Sequence, residues 1–202
     1  MINTISSGMR LYDAAGRRLY VNAAERERIL NVVEDIEPAT ASFALTLLYS
    51  GCRISEAIEL KPHNLQAESG LITFRTLKRR NEHTFREVPV PQSLVERLFE
   101  QVEVVTSEEA LWRSDGEPIN RSTGYRWIKS IMSAAEIEGA HASPKGLRHG
   151  YGIHALLSGV PLNMLQKWMG HADIETTSIY ANASGREERE LAERMWRMHR
   201  QR

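Results

Sequence analysis

The sequence predicts an α+β fold that is mainly helical and carries one small antiparallel β-sheet. Three observations lead there. Asn22 followed by Glu25 precedes an apolar stripe at helical spacing, Ile29, Val32, Val33 and Ile36. "GLITFRTL" and "TFREVPV" alternate as strands on either side of the polar "KRRNEH". After Pro91 the pattern stays helical to the end, with breaks at glycine and proline.

Each element follows from local chemistry. "MRLYDAAGRRLYV" alternates around Ala-Ala-Gly and reads as a hairpin or ordered arm within residues 1–21. Asn22 opens the first helix as its N-cap, with Glu25 completing a capping box. Pro38 opens a second helix through "ATASFALTLLYS", apolar nearly all round and therefore expected at the centre. Gly51 closes it, and "RISEAIEL" begins a further helical stretch that stops before Lys61-Pro62. Beyond the two strands come "QSLVERLFEQV", "RSTGYRWIKSIMSAAEI", "SPKGLRHGYGIHALLSG", "PLNMLQKWMG", "IETTSIYAN" and "GREERELAERMWRMHR". Gly139, Pro144, Gly159-Val160-Pro161, Gly170 and Gly185 punctuate them. No internal repeat, low-complexity stretch or linker interrupts the series, so residues 1–202 read as a single domain.

Composition narrows the class. One cysteine, Cys52, excludes an internal disulfide framework and fits a reducing cytoplasm. No signal peptide or long apolar run is present, so neither export nor a membrane span is expected. Net charge is zero, but it is unevenly spread. "RTLKRRNEHTFR" carries five Arg/Lys against one Glu, "RMWRMHRQR" carries four arginines and no acid, and acid gathers in "VEDIE" and "EQVEVVTSEE". A neutral total thus leaves room for a basic face, which is what a phosphate backbone senses. Arg75, Arg79, Arg80 and Arg86 are the candidate DNA-binding residues of that face. A metal site is not expected: His141, His149, His154 and His171 lack paired i,i+4 spacing and a carboxylate cluster beside them.

Singly, the other polar residues have ordinary explanations. Arg53 after "SGC" could hold nearby carbonyls, Lys78 could be a solvated hairpin tip, Arg148 could pair with a carboxylate, and His171 could cap a helix. Their joint order is more telling. "LLYSGCRISEAIEL" resembles the first-arginine box of the tyrosine recombinases, the phage integrase family. "LITFRTLKRRNEHTFREVPVP" is similar to that family's hairpin, with a lysine in the turn. "SPKGLRHGYGIHALLSGVPLNMLQKWMGHADIETTSIY" resembles the second-arginine helix through to the nucleophile, with a tyrosine nine residues after Gly-His. The similarity runs from about residue 25 to about 183.

The resemblance implies a helical recombinase catalytic domain and a chemistry. Arg53 and Arg148 would clamp a phosphate, Lys78 would be the hairpin lysine, His171 the late histidine, and Tyr180 the nucleophile. The remaining position, usually histidine, is Lys145. His149 is expected to pack or hydrogen-bond, and Glu56 to organise Arg53. A phosphodiester repels nucleophiles, and its displacement piles charge on the equatorial oxygens. Two guanidiniums supply forked donors that stay charged at any working pH. Close positive charge should favour the phenolate of Tyr180. Attack would leave a 3'-phosphotyrosyl link, with no cofactor required, and Lys78 is the candidate general acid.

The expected partners are a double-stranded DNA recombination site and further copies of the chain, tetrameric on DNA and monomeric in solution, with an accessory DNA-binding protein as helper. No separate N-terminal core-binding domain is expected, as in the small bacterial DNA invertases that switch fimbrial genes. Residues 186–202 place Leu191, Met195 and Met198 at helical spacing beside Trp196, either packing on their own domain or exchanged between protomers. Two other activities share the pattern: a type IB-like topoisomerase, and a non-catalytic DNA-binding regulator with the same fold.

Overall fold

A computed structural model describes residues 10–76, 84–102 and 109–182, together with 189, 192, 193 and 196. The α-helices with defined ends are α1 (Ala23–Val32), α2 (Pro38–Ser50), α3 (Ile54–Ile58), α4 (Gln92–Val102), α5 (Arg121–Ala134), α6 (Pro144–Leu157), α7 (Leu162–Met169) and α8 (Ile174–Ser178). Strands β1 (Leu65–Gln66), β2 (Leu71–Thr76) and β3 (Thr84–Pro89) form an antiparallel sheet in that order. A second hairpin joins β4 (Arg113–Ser114) to β5 (Glu117–Pro118), so the stretch after Pro91 is not helical throughout as predicted.

Helix α2 is the hub, packing on α4, α5 and α6. Its hydroxyl residues could have been a liability in so dry a place. Ser42, Thr46 and Ser50 instead donate to the carbonyls of Pro38, Ser42 and Thr46, at 2.7, 2.8 and 2.6 Å, so each polar side chain is satisfied within the helix. Glu37 caps the first turn through the N–H groups of Ala39 and Thr40. At the other end Gly51 takes a left-handed φ of 61°, and a Cβ there would fall 2.2 Å from the Tyr151 ring.

The sheet alternates with period two. Ile72 and Phe74 of β2 and Val88 of β3 are fully buried, Ile72 opposite Val88 and Phe74 opposite Arg86. The arm at residues 11–19 closes as a tight turn, with the Leu19 N–H donating to the Leu11 carbonyl at 2.7 Å. The predicted capping box of α1 is present: Glu25 N–H donates to Asn22 Oδ1, and Asn22 N–H to Glu25 Oε2. The apolar side chains gather in two clusters. The larger surrounds α2. The smaller joins Leu11 and Tyr20 of the arm to Tyr151, Leu165, Met169 and Tyr180. Among the described residues, no helix is long and apolar enough to cross a membrane.

Candidate active site

Arg53, Lys145, Arg148 and His149 line one open cleft of about 640 Å³, with Arg121 and Tyr125 of α5 on its rim. Arg148, on α6, is held by two helix ends. Its Nη1 donates to the Gly51 carbonyl at 2.5 Å and its Nη2 to the Met169 carbonyl at 2.7 Å, the C-termini of α2 and α7. Such termini carry unsatisfied carbonyls and partial negative charge, so they hold a guanidinium in place of a counter-carboxylate. Burial, with Arg53 close by, lowers Arg148 to about 10. It stays charged at neutral pH and, with five N–H groups, keeps donors for an incoming anion.

Arg53 is the N-cap of α3 and is partly exposed in the cleft. Its backbone N–H and its Nη1 both donate to Glu56, at 2.8 and 2.9 Å. Glu56 in turn accepts from Arg86 Nη2 at 2.7 Å, and Arg86 is anchored by Nε to the Trp168 carbonyl at 2.7 Å and by Nη1 to Thr76 Oγ1 at 3.1 Å. Burial alone would raise the Glu56 carboxyl, but Arg86 and Arg53 outweigh it and hold it below the usual carboxylate range. Arg86, expected on an exposed basic face, is therefore buried instead. It is 6% exposed on the inward face of β3, where it fixes the carboxylate that fixes Arg53. Arg75 is exposed on β2, in a groove with Lys61, His63 and Phe85 that is separate from the cleft. Lys78, Arg79 and Arg80 lie outside the described residues, as do Leu191, Met195 and Met198.

Tyr180 lies directly behind the cleft. It sits in a 3-10 turn, Ile179–Asn182, with its ring fully buried against α6. His171, which follows the α7-terminating Gly170, stacks on that ring at 6.4 Å and 15°, its Nδ1 hydrogen-bonded to Thr177 Oγ1 at 2.9 Å. The Tyr180 hydroxyl meets His149 Nδ1 at 3.3 Å. Close cations were expected to favour the phenolate. Arg148 and Arg53 do pull that way, but burial outweighs both and pushes the phenol above the usual tyrosine value. In this arrangement the hydroxyl is protonated and shielded from the cleft. Burial likewise raises the Cys52 thiol to about 12, which leaves it neutral and unreactive.

Gly152 makes the slot. A Cβ at that position would stand 2.6 Å from the Tyr180 ring, so no larger residue can sit there with the ring in place. Gly152→Ala should expel the ring at a cost of about 1–3 kcal/mol, the usual range for overpacking. A lower melting temperature and faster nitration at Tyr180, located by mass spectrometry, would report it.

Sequence reasoning missed Arg121 and Tyr125 on the rim. The signal was available: Asn120 is an N-cap, which puts residues 121 and 125 on one face of α5.

Residues 20–187 match the Phage integrase family. The chain belongs to that family. Among curated relatives, the tyrosine recombinase XerD of Rhizobium meliloti is 33% identical over 145 residues, covering 68% of this chain and 45% of that protein. The tyrosine recombinase XerA of Pyrococcus furiosus is 26% identical over 175 residues, covering 84% and 59%. The chain thus spans about half the length of the curated relatives it matches. The fold agrees with a crystal structure of XerA recombinase, at TM-score 0.76 and 24% identity over 91% of this chain and 65% of that one. It agrees also with the catalytic domain of bacteriophage HP1 integrase, at TM-score 0.62 and 22% identity over 81% and 86%. XerH site-specific recombinase bound to its difH substrate superposes at TM-score 0.72 and 19% identity over 92% and 59%.

Proposed function

We propose that this chain is a site-specific DNA recombinase that breaks and rejoins strands through a transient 3'-phosphotyrosine, with Tyr180 as nucleophile. One observation carries the reading. Two guanidiniums, each fixed by an independent set of partners, face a single cleft, and a tyrosine hydroxyl lies one imidazole away. Arg53 and Arg148 would grip the non-bridging oxygens and stabilise the charge that develops in displacement. Lys145, exposed on the first turn of α6, and Lys78, which falls between β2 and β3 in the sequence, would protonate the departing 5'-oxygen. His171 would hydrogen-bond a non-bridging oxygen once the substrate is seated. Because Tyr180 rests behind the cleft, cleavage requires the segment from α8 to the 3-10 turn to shift and bring the hydroxyl forward.

The DNA seen with XerH supports a duplex recombination site as partner, and Arg75, Arg79 and Arg80 would contact its backbone. We place the working assembly as a tetramer on DNA, formed from soluble cytoplasmic monomers. A pool of nicked duplexes of randomised sequence tests the reading, because the nick lets the released strand diffuse away and traps the adduct. Wild-type protein should become covalently attached to a restricted set of sequences. Attachment without sequence preference, together with relaxation of supercoiled plasmid, would favour a topoisomerase. No attachment would leave a DNA-binding regulator.

A further inference from the structure

His149 lines the cleft and also touches the candidate nucleophile. Its ring is 1% exposed, with Nδ1 at 3.3 Å from the Tyr180 hydroxyl and the two ring centroids 5.9 Å apart. Its Nε2 is buried and has no hydrogen-bond partner among the described residues.

The phenol proton must go somewhere as the tyrosine oxygen bonds to phosphorus. Arginine has no acceptor, so Arg53 and Arg148 are excluded. The residue at 145 is lysine, whose ammonium also only donates. His171 stacks face to face on the Tyr180 ring, with its Nδ1 engaged by Thr177, and so meets the face of the ring. His149 Nδ1 meets the hydroxyl at rest, and His149 also lines the cleft toward which the hydroxyl would move. We infer that His149 is the general base that takes the proton of Tyr180 during cleavage and returns it during rejoining. This rests on the recombinase reading and extends it to a residue outside the resembled catalytic set.

The step balances. The Oη–H bond breaks as Nδ1–H forms, and the phenol oxygen's electron pair forms the O–P bond. The P–O5' bond breaks, its pair stays on the 5'-oxygen, and a lysine ammonium supplies the proton there. Rejoining runs the same moves backwards. The groups facing His149 would hold the step back until DNA is bound. Burial above all, with Lys145 and Arg148 on its own helix, disfavours an imidazolium and holds the ring near 4. Tyr180, from the 3-10 turn, is buried and protonated opposite it. A phosphodiester entering between Arg53, Lys145 and Arg148 would supply the missing negative charge, so the proton would move only when substrate is present.

Three variants, His149→Asn, His149→Ala and Tyr180→Phe, are compared with wild type in single-turnover adduct formation across pH, on a nicked duplex enriched from the randomised pool. Asparagine offers an oxygen near the place of Nδ1 but takes no proton. His149→Asn and His149→Ala should both form adduct roughly 10²- to 10⁴-fold more slowly, the usual range for a lost general base. Their rates should climb with pH where wild type levels off, and added imidazole should rescue His149→Ala but not Tyr180→Phe. Circular dichroism and DNA retention report whether each variant is folded. Should the variants misfold, ¹⁵N-histidine NMR on the wild type decides, since the inference requires the neutral Nε2–H tautomer. Adduct formation by His149→Asn at the wild-type rate and pH dependence, or an Nδ1–H tautomer in the free protein, would overturn the inference and leave the recombinase reading standing. Failure of wild type to form any adduct overturns both.

Discussion

Tyr180→Phe should form no covalent adduct with DNA, while its fold and its retention of duplex DNA should stay as in wild type. The substitution removes one oxygen, the atom that would carry the bond to phosphorus. Adduct formation should fall by roughly four orders of magnitude or more, as expected when a covalent nucleophile is deleted. Stability should hardly move. The hydroxyl's interaction with His149 is long at 3.3 Å, and a phenylalanine ring occupies the same slot against Gly152. A neutral hydrogen bond of that kind is worth about 1 kcal/mol or less net, partly offset by no longer burying a polar atom. Denaturing gels on the nicked duplex, beside a thermal melt and a filter-retention assay, separate the three quantities. An adduct that persists in Tyr180→Phe would move the nucleophile elsewhere and end the assignment. A melting temperature that collapses would mean that the hydroxyl is chiefly structural.

The helices were legible because their boundaries are chemical. The Asn22–Glu25 box, Pro38, Gly51 and Gly170 each mark an end that the fold uses. The β4–β5 hairpin was overlooked although Asp115-Gly116 is a standard hairpin dipeptide, and both residues take positive φ. With two residues per strand it has too little alternation to register as a pattern. Strand β1 is equally short. The cleft was legible as a set of residues and not as a state. Sequence order places Arg53, Arg148 and Tyr180 in one constellation, but whether a phenol faces solvent or packs beneath a helix depends on Gly152, four residues past Arg148 on the same helix. Desolvation then reverses the sign of the pKa shift expected from charge alone.

Arg86 was misread for a different reason, and the misreading leads to the largest stability effect expected here. A basic run suggests a solvated face, yet strand period decides which members of the run can see solvent. The alternation that seats Val88 in the core seats Arg86 beside it and turns Phe85 and Glu87 outward. Arg86→Ala would strip Glu56 of its main partner and leave the Trp168 carbonyl without its donor. Removing one member of a buried ion pair costs about 3–5 kcal/mol, because the other charge stays behind unpaired. Arg75→Ala, on the exposed face of the neighbouring strand, should lie within about 0.5 kcal/mol of wild type. Urea midpoints at constant slope measure both. Pairing Arg86→Met with Glu56→Gln should recover part of the loss by removing both charges, and the interaction free energy from that cycle isolates the pair. Adduct formation should not recover with it. Without the carboxylate, Arg53 loses the group that aims it into the cleft, so stability and activity separate in the double variant. Equal urea midpoints for Arg86→Ala and Arg75→Ala would show instead that the guanidinium at 86 is solvated, and the link from the sheet through Glu56 to the cleft would be lost.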